Sequence, residues 1–342
     1  MAHLVFAPYL PLSERATVGS WTLIPFSAAR TSDVVPDDLR RATCRLIDAY
    51  EVDDDIGTLG AVVEPSTGVG SEVERGALGL LGKGLLAGIL NGNPRLLDAE
   101  DESPNAGWAM ATAENAIVFG HPLGDGDSYV IETGTLARVT SMRHGSPDEP
   151  LPKITPPNEL RVPTLGWSFD DEFADATFGI LQRPDRSGRR LGRALDWYRI
   201  VFSNAEAITP DLRVEGARSA AEILTGSGDE TRRLVRAYGR LMRDEDSEEV
   251  TYDEAFWANG PVQLTNDEWW MTRLCRLRNA IIHSELVADD LWEHEDQHHV
   301  NHIHDRLLEA LRRFISEAAG DPLLRLGTFD RVLHRAYRDL TD

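Results

Sequence analysis

The sequence predicts an α+β protein, in which an N-terminal mixed α+β domain is followed by an all-α helical bundle. Three observations support this prediction. Short runs rich in β-branched residues lie within the first 143 residues, amphipathic helical patterns dominate from about residue 187, and six prolines fall between the two regions. The predicted domains are residues 1–143 and 166–342, joined by a proline-rich linker at 144–165.

The N-terminal region alternates predicted strands with predicted helices. Strands are expected where β-branched residues are bounded by turn-forming residues, at 20–26, 57–65, 114–120 and 128–142. Helices are expected at 38–50, where apolar residues recur at helical spacing, and at 76–90, a glycine-rich apolar stretch. This mixture makes the first domain α+β.

The C-terminal region is predicted to be helical, with helices at 189–205, 211–226, 230–242, 266–286, 296–318 and 329–340. Pro210 after Thr209 and a final Gly226 are the expected boundary signals of the second of these helices. Asn266, followed by acidic residues, predicts the N-terminal cap of the fourth. Several helices joined by short loops are typical of a bundle.

The composition excludes some classes of protein. The 342 residues carry a net charge of −22, which disfavours a protein that coats nucleic acid through its overall electric field. Two cysteines cannot build a disulfide framework or a zinc-finger motif. The N-terminus lacks the pattern of a signal peptide, and the longest apolar stretch is too short to span a membrane. We therefore expect a soluble cytoplasmic protein without membrane partners.

A polar trio interrupts the apolar helix at 266–286. On a helical wheel, one apolar stripe contains Trp270, Leu274, Leu277 and Ile281, and a second contains Met271, Cys275, Ile282 and Leu286. Asn279 and His283 share the edge beyond the second stripe, and Arg278 lies between the stripes. Such a trio is either a set of paired polar side chains or a functional site.

The pattern Arg278-Asn279-x-x-x-His283 resembles the R-x4–6-H signature of the HEPN superfamily (higher eukaryotes and prokaryotes nucleotide-binding). The context also resembles that family, because the signature lies late in a helical segment and another predicted helix follows. An α+β region before such a bundle is most similar to the bacterial ApeA-like HEPN branch. The resemblance covers roughly residues 187–342, and residues 1–165 resemble no family.

The resemblance implies a metal-independent endoribonuclease that acts as a homodimer, with two signatures meeting in one RNA cleft. It implies that His283 is the acid/base group for attack of a ribose 2′-OH on the adjacent phosphate. Arg278 would stabilise the phosphate and Asn279 would orient the histidine or the phosphate. It further implies a role in bacterial anti-phage defence (abortive infection) or growth arrest, without a cofactor. The N-terminal domain would then sense a phage-derived or nucleotide trigger.

Two alternatives remain open at this point. The bundle could be a non-catalytic module for dimerisation or for binding nucleotide or RNA, with Arg278 and His283 holding a phosphate or bracing an interface. His294, His298 and His302 recur every four residues and, on one helical face with Asp305, could bind zinc or nickel.

Glu285 occupies the position at which some HEPN proteins carry a modified tyrosine, so that modification is not expected here.

Overall fold

The computed structural model describes residues 2–31, 37–50, 59–64, 71–92, 113–123, 128–133, 140–143, 169–203, 205, 207–244, 246–252, 260–283, 293–294 and 297–341. The predicted linker at 144–165 lies outside these residues. The chain divides into two compact units. Unit 1 contains Met1–Gln182 and Gly327–Val332, and unit 2 contains Arg183–Leu326 and Leu333–Asp342. Unit 1 thus extends beyond the predicted domain end at 143 and includes a short segment close to the C-terminus.

Unit 1 is built on an antiparallel sheet in which seven strands are described, in the order β2-β3-β4-β1-β5-β6-β7. The strands are β1 Ala2–Pro11, β2 Ala16–Val18, β3 Trp21–Pro25, β4 Leu59–Glu64, β5 Phe119–Leu123, β6 Ser128–Thr133 and β7 Thr140–Arg143. β1 is central, with Val5 opposite Val63 on one side and Gly120 on the other. The α+β class of the chain is thereby confirmed.

The predicted strands at 20–26 and 57–65 correspond to β3 and β4. The prediction at 114–120 was wrong in its first half, because Ala113–Ala116 forms a 3-10 helix and the strand β5 begins only at Phe119. The predicted strand at 128–142 is two paired strands, β6 and β7. β1 was not predicted, because two prolines interrupt its apolar run and a proline has no N–H for a sheet ladder. Its pairing with β4 is irregular between Ala7 and Pro11, which is where the structure accommodates these prolines.

The described part of unit 1 also contains the α-helices α1 Phe26–Thr31, α2 Asp37–Tyr50, α3 Ser71–Gly92 and α4 Asp171–Leu181, the 3-10 helix Ala113–Ala116, and the segment Gly327–Val332. α3 and α4 approach closely at Gly88, where an added Cβ would lie 2.7 Å from the Asp170 carbonyl oxygen and 2.8 Å from the Ala174 Cβ. The Asp170 N–H also donates to the Gly88 carbonyl oxygen at 3.2 Å. Glycine is therefore required there, and this packing explains why α4 belongs to unit 1.

Asp170 forms a buried polar cluster at the start of α4. Its carboxylate accepts hydrogen bonds from the Asn91 amide at 2.7 Å, the Phe173 N–H at 2.9 Å and the Thr328 hydroxyl at 2.7 Å. It also forms an ion pair with Arg331, and both side chains are only 2% exposed. The cluster joins the C-terminal segment of unit 1 to the rest of that unit.

Unit 2 is mainly helical. Its helices are α5 Arg186–Val201, α6 Pro210–Thr225, α7 Thr231–Met242, α8 Asn266–Ile282 and α9 His299–Ala319, while α10 Thr328–Thr341 begins in unit 1. The prediction of an all-α bundle was wrong in one respect. Two antiparallel strand pairs are present, β8 Glu249–Tyr252 with β9 Val262–Thr265, and β10 Glu293–His294 with β11 Gln297–His298. Strands of two to four residues are too short to show a clear alternating pattern.

Helix caps fix the ends of the helices that carry the candidate site. Thr209 caps α6, Pro210 is its first residue, and Gly226 ends it in the left-handed conformation at φ 61°. α8 is capped by Thr265 rather than by the predicted Asn266. The Thr265 side chain accepts from the Glu268 N–H, and the Glu268 carboxylate accepts from the Thr265 N–H. Of the helices in the described ranges, none has both the length and the apolar character needed to cross a membrane.

Candidate functional site

Helix α8 carries the predicted signature and packs against α6 and α7. The first predicted apolar stripe is largely buried, with Trp270, Leu274 and Leu277 at 0% exposure. In the second stripe Met271 and Cys275 are also at 0%. Their own unit covers these two side chains, so Met271 and Cys275 are not available to an interface with a second copy.

Two residues of that second stripe remain. Ile282 is 48% exposed, and Leu286 lies outside the described residues. An exposed apolar side chain thus adjoins His283 at the end of α8. A single residue of this kind is common on protein surfaces and does not by itself define an interface.

His283 terminates α8. Its N–H donates to the Asn279 carbonyl oxygen at 3.0 Å, which completes the last turn, and its side chain is exposed. The imidazole is therefore accessible to a ligand. The end of a helix presents carbonyl oxygens, so the backbone here attracts no phosphate and any affinity for one must come from side chains.

Arg278 is held by an acidic residue that the sequence reasoning did not single out. Its Nε donates to Glu215 Oε2 at 2.6 Å and its Nη2 donates to Oε1 at 3.3 Å. Glu215 lies on α6, and both side chains are about one quarter exposed, at 25% and 29%. Two parallel N–H···O contacts are the strong form of an arginine–carboxylate pair. The remaining terminal nitrogen, Nη1, lies 3.4 Å from Asn279 Oδ1.

The structure therefore connects the three predicted residues in two ways. Arg278 meets Asn279 through side chains, and Asn279 connects to His283 through the backbone. The ion pair of Arg278 with an acid is expected if the trio is only a set of paired polar side chains. The exposure of His283 is instead expected for a functional site. Glu215, Arg218 and Glu222 recur at spacings of three and four on α6, which predicts ion pairs within that helix but not the pairing of Glu215 with Arg278.

Cys275 lies one turn before Asn279 and is not a nucleophile candidate. Burial raises the pKa of its thiol to about 11, and the opposing effects of Arg218 and Arg278 are smaller. Arg218 is itself paired with Glu222 at 2.7 Å and donates to the Asp229 carbonyl oxygen at 3.1 Å. Of these two arginine–glutamate pairs, Arg278–Glu215 joins α8 to α6, whereas Arg218–Glu222 lies within α6.

A second arginine–histidine pair in unit 2 was not predicted. His304 Nε2 lies 3.2 Å from the Val201 carbonyl oxygen and 3.4 Å from Arg213 Nη1, and the ring stacks on Phe202 with centroids 4.7 Å apart. Burial lowers the pKa of His304 to about 4, and the Arg213 charge adds to this effect. Arg213 also donates to the carbonyl oxygens of Val201 and Ser203. This pair caps the C-terminal end of α5 and is suited to packing rather than to proton transfer at neutral pH.

The alternative of a metal site at His294, His298 and His302 rests on a helical arrangement that the structure does not contain. His294 lies in β10 and His298 in β11, and α9 begins only at His299. Only His302 of the three is helical, so they cannot share one helical face. Their side chains lie outside the described part of the structure. Where side chains are described, no group of three or more His, Cys, Asp or Glu could hold a metal ion.

The chain shows no significant match to any protein-family model, curated protein or solved structure. The likeness to HEPN proteins therefore depends on the short signature and its helical context.

Proposed function

We propose that the chain is a HEPN-type, metal-independent endoribonuclease that acts as a homodimer. The observation that supports this most is the exposed imidazole of His283 at the end of α8, one turn after the Arg278–Asn279 contact. A general acid/base must reach its substrate, and an exposed helix terminus allows this. A role as a gated effector of bacterial anti-phage defence or growth arrest belongs to the same proposal.

The chemistry follows from these side chains. The imidazole of His283 accepts the proton of a ribose 2′-OH, and the 2′ oxygen attacks the adjacent phosphorus. The bond from phosphorus to the 5′ oxygen breaks, and an imidazole of the second copy donates a proton to that oxygen. The products are a 2′,3′-cyclic phosphate and a 5′-OH, and no water is consumed. The Arg278 guanidinium stabilises negative charge on the phosphate as the reaction proceeds.

The Arg278–Glu215 pair implies a resting state with low activity. A phosphate must displace the Glu215 carboxylate, or share the guanidinium with it, before it can bind the guanidinium by two hydrogen bonds. An enzyme that cleaves cellular RNA needs such restraint, and we propose that a trigger acting on unit 1 relieves it.

A second function is favoured by the same ion pair. If Arg278 is permanently neutralised by Glu215, the bundle is a non-catalytic module that binds RNA or nucleotide, or forms dimers, without cleaving. The two functions differ in whether RNA is cut, so one set of measurements decides between them.

The test uses the full chain, 5′-labelled RNA and excess EDTA. We expect cleavage that persists in EDTA, yields 5′-OH ends and disappears in His283→Ala. His334→Ala is the matched control, since His334 is also exposed and helical, and it should cleave as the unchanged protein does. Cleavage that requires a metal, or that survives in His283→Ala, contradicts the proposal. Binding without cleavage, also after addition of extract from phage-infected cells, favours the second function.

A further inference from the structure

Helix α5 begins with four arginines on one face, which we call the α5 arginine cluster: Arg186, Arg189, Arg190 and Arg193. At about 100° per residue these side chains lie within an arc of about 100°, and at about 1.5 Å per residue they extend along about 10 Å of the helix. Arg190 is half-buried and the other three are exposed. The chain contains 57 acidic and 35 basic residues, so four cations gathered on one face are not what its composition predicts.

In the described part of the chain, no carboxylate forms an ion pair with any arginine of the α5 arginine cluster. Arg189 donates instead to the Pro184 carbonyl oxygen. Asp185 is the one acid between residues 183 and 193, and as the N-cap of α5 it accepts from the Gly188 N–H at 2.9 Å. The four positive charges thus remain available to an anion.

The position of the cluster on α5 adds to its positive potential. The N-terminal end of a helix carries a partial positive charge, so acidic residues are favourable there and basic ones are not. The first turn of α5 contains no acidic residue, and it contains Arg186 and Arg189 instead. Burial lowers the pKa of Arg190, and the charge of Arg186 lowers it further. These cations destabilise one another, and a bound anion relieves that repulsion.

Arg190 is held in place by the end of α6. Gly226 ends that helix in the left-handed conformation, and a Cβ added there would lie 1.7 Å from Arg190 Nη2. The guanidinium therefore lies directly against the backbone at the C-terminal end of α6, where the helix dipole attracts a cation. This contact fixes the side chain without the negative charge of a carboxylate. A group that is already positioned loses less conformational entropy when it binds a ligand.

We propose that the α5 arginine cluster binds the phosphate backbone of RNA, on a surface separate from the His283 end of α8. Helix α6 shows the separation, because Arg190 lies against Gly226 at its end. The contact of α6 with Arg278 is made by Glu215. Gly226 and Glu215 are 11 positions apart, which corresponds to about 16 Å along the helix axis. The choice of RNA rests on the proposed function, whereas the charge and placement of the cluster do not.

The shape of the surface favours an extended polyanion. Small ligands bind in concave, largely apolar pockets, whereas the cluster lies along a helix with most of its side chains exposed. A guanidinium binds phosphate through two parallel hydrogen bonds, and four of them along about 10 Å can hold successive phosphates of one strand. The net charge of −22 does not prevent this, because at physiological salt charges more than about 8 Å apart are largely screened. Backbone contacts carry no sequence information, so we expect binding that does not depend on the RNA sequence.

Fluorescence anisotropy with the full chain and a labelled 2′-O-methyl RNA of about 20 nucleotides tests the proposal, since this RNA has no 2′-OH to attack its own backbone. Arg186→Gln/Arg193→Gln removes two exposed cations and should weaken binding roughly tenfold at about 50 mM salt. It should also make the slope of log affinity against log salt shallower by about 1.4, which is about 0.7 for each lost phosphate contact. Arg233→Gln/Arg243→Gln is the matched control, because each of these exposed arginines already pairs with a glutamate. This control removes the same charge and should change the affinity less than about twofold.

An unchanged chain that binds no RNA overturns the proposal, and so does equal weakening in the two double variants. If polyglutamate displaces the RNA as readily as unlabelled RNA of equal charge does, the partner is an acidic protein. If inorganic tripolyphosphate does so, the partner is a small ligand, and either result overturns the assignment to RNA. Cleavage by a chain in which Arg186→Gln/Arg193→Gln binds normally overturns this inference alone. Weakened binding in that variant of a chain that cleaves no RNA supports the inference, while the proposed ribonuclease activity fails.

Discussion

Replacing Glu215 by glutamine should increase the binding and cleavage of RNA, because it weakens the contact that occupies Arg278. The substitution removes the negative charge and leaves one oxygen to accept a hydrogen bond from the guanidinium. Both partners are about one quarter exposed, so water screens the pair. Exposed ion pairs contribute roughly 0.2–1 kcal/mol, and the two-contact geometry favours the upper end.

A loss of about 1 kcal/mol corresponds to a roughly fivefold larger fraction of Arg278 free to bind phosphate. We therefore expect a two- to fivefold rise in kcat/KM, or in RNA affinity if the chain only binds RNA. The assay measures cleavage under subsaturating RNA in EDTA, in parallel with fluorescence anisotropy on uncleavable RNA. Glu222→Gln is the matched control, because Glu222 lies on the same helix and pairs with Arg218 instead. This control should leave both quantities unchanged.

The combined variant Glu215→Gln/Arg278→Ala isolates the cause. In this combined variant the rise in kcat/KM and in RNA affinity must vanish, because the freed guanidinium is then absent. If Glu215→Gln alone lowers activity, Glu215 positions Arg278 for catalysis and the competition described above is refuted. An equal gain in Glu222→Gln would show that only the overall charge matters, and this would refute it as well.

Three further predictions concern stability and are measured by urea unfolding. Asp170→Asn should lower the free energy of unfolding by about 3–5 kcal/mol, because it leaves the Arg331 charge buried without its partner. The double variant Asp170→Asn/Arg331→Leu should lose less free energy of unfolding than the two single variants lose together. The pKa of His304 is lowered to about 4, so the neutral side chain makes its full contribution to the free energy of unfolding above the ordinary histidine pKa of 6.5. This contribution is lost as the pH falls from 6.5 towards 4. This loss should reach about 3 kcal/mol at pH 4 and be absent in His304→Gln. Gly88→Ala should destabilise by about 1–3 kcal/mol, since the added Cβ meets α4, whereas Gly79→Ala on the same helix meets nothing within 4 Å and should stabilise by up to about 1 kcal/mol.

The helices of unit 2 were largely predictable because their signals are local. An amphipathic repeat, with a proline at its start and a glycine after its end, identifies both ends of α6 to within one residue. The burial of Trp270, Leu274 and Leu277 likewise follows from their spacing. The central strand β1 was missed because prolines interrupt its apolar run and because its pairing partners, β4 and β5, begin only at Leu59 and Phe119.

The candidate site was only partly predictable for the same reason. Periodicity placed Asn279 and His283 on one edge of the predicted helix and Arg278 between its two apolar stripes. In the structure Arg278 and Asn279 lie in α8, and His283 is the residue that follows its last turn. Periodicity could not identify Glu215 as the partner of Arg278, because 63 residues separate them and the chain contains 57 acidic residues. Helix packing, rather than local sequence, selects which acid an arginine meets. The role of the trio in catalysis stays a prediction.

The ion pair of Asp170 with Arg331 affects how this protein can be made. The two residues are 161 positions apart, so unit 1 cannot be completed on the ribosome until Arg331 has also been synthesised and has emerged. A fragment ending at Gln182 would leave a buried carboxylate without its cation, and a fragment starting at Arg183 would carry that cation without its carboxylate. No single break in the chain yields both units intact, and premature termination should leave nascent protein that is recognised as unfolded.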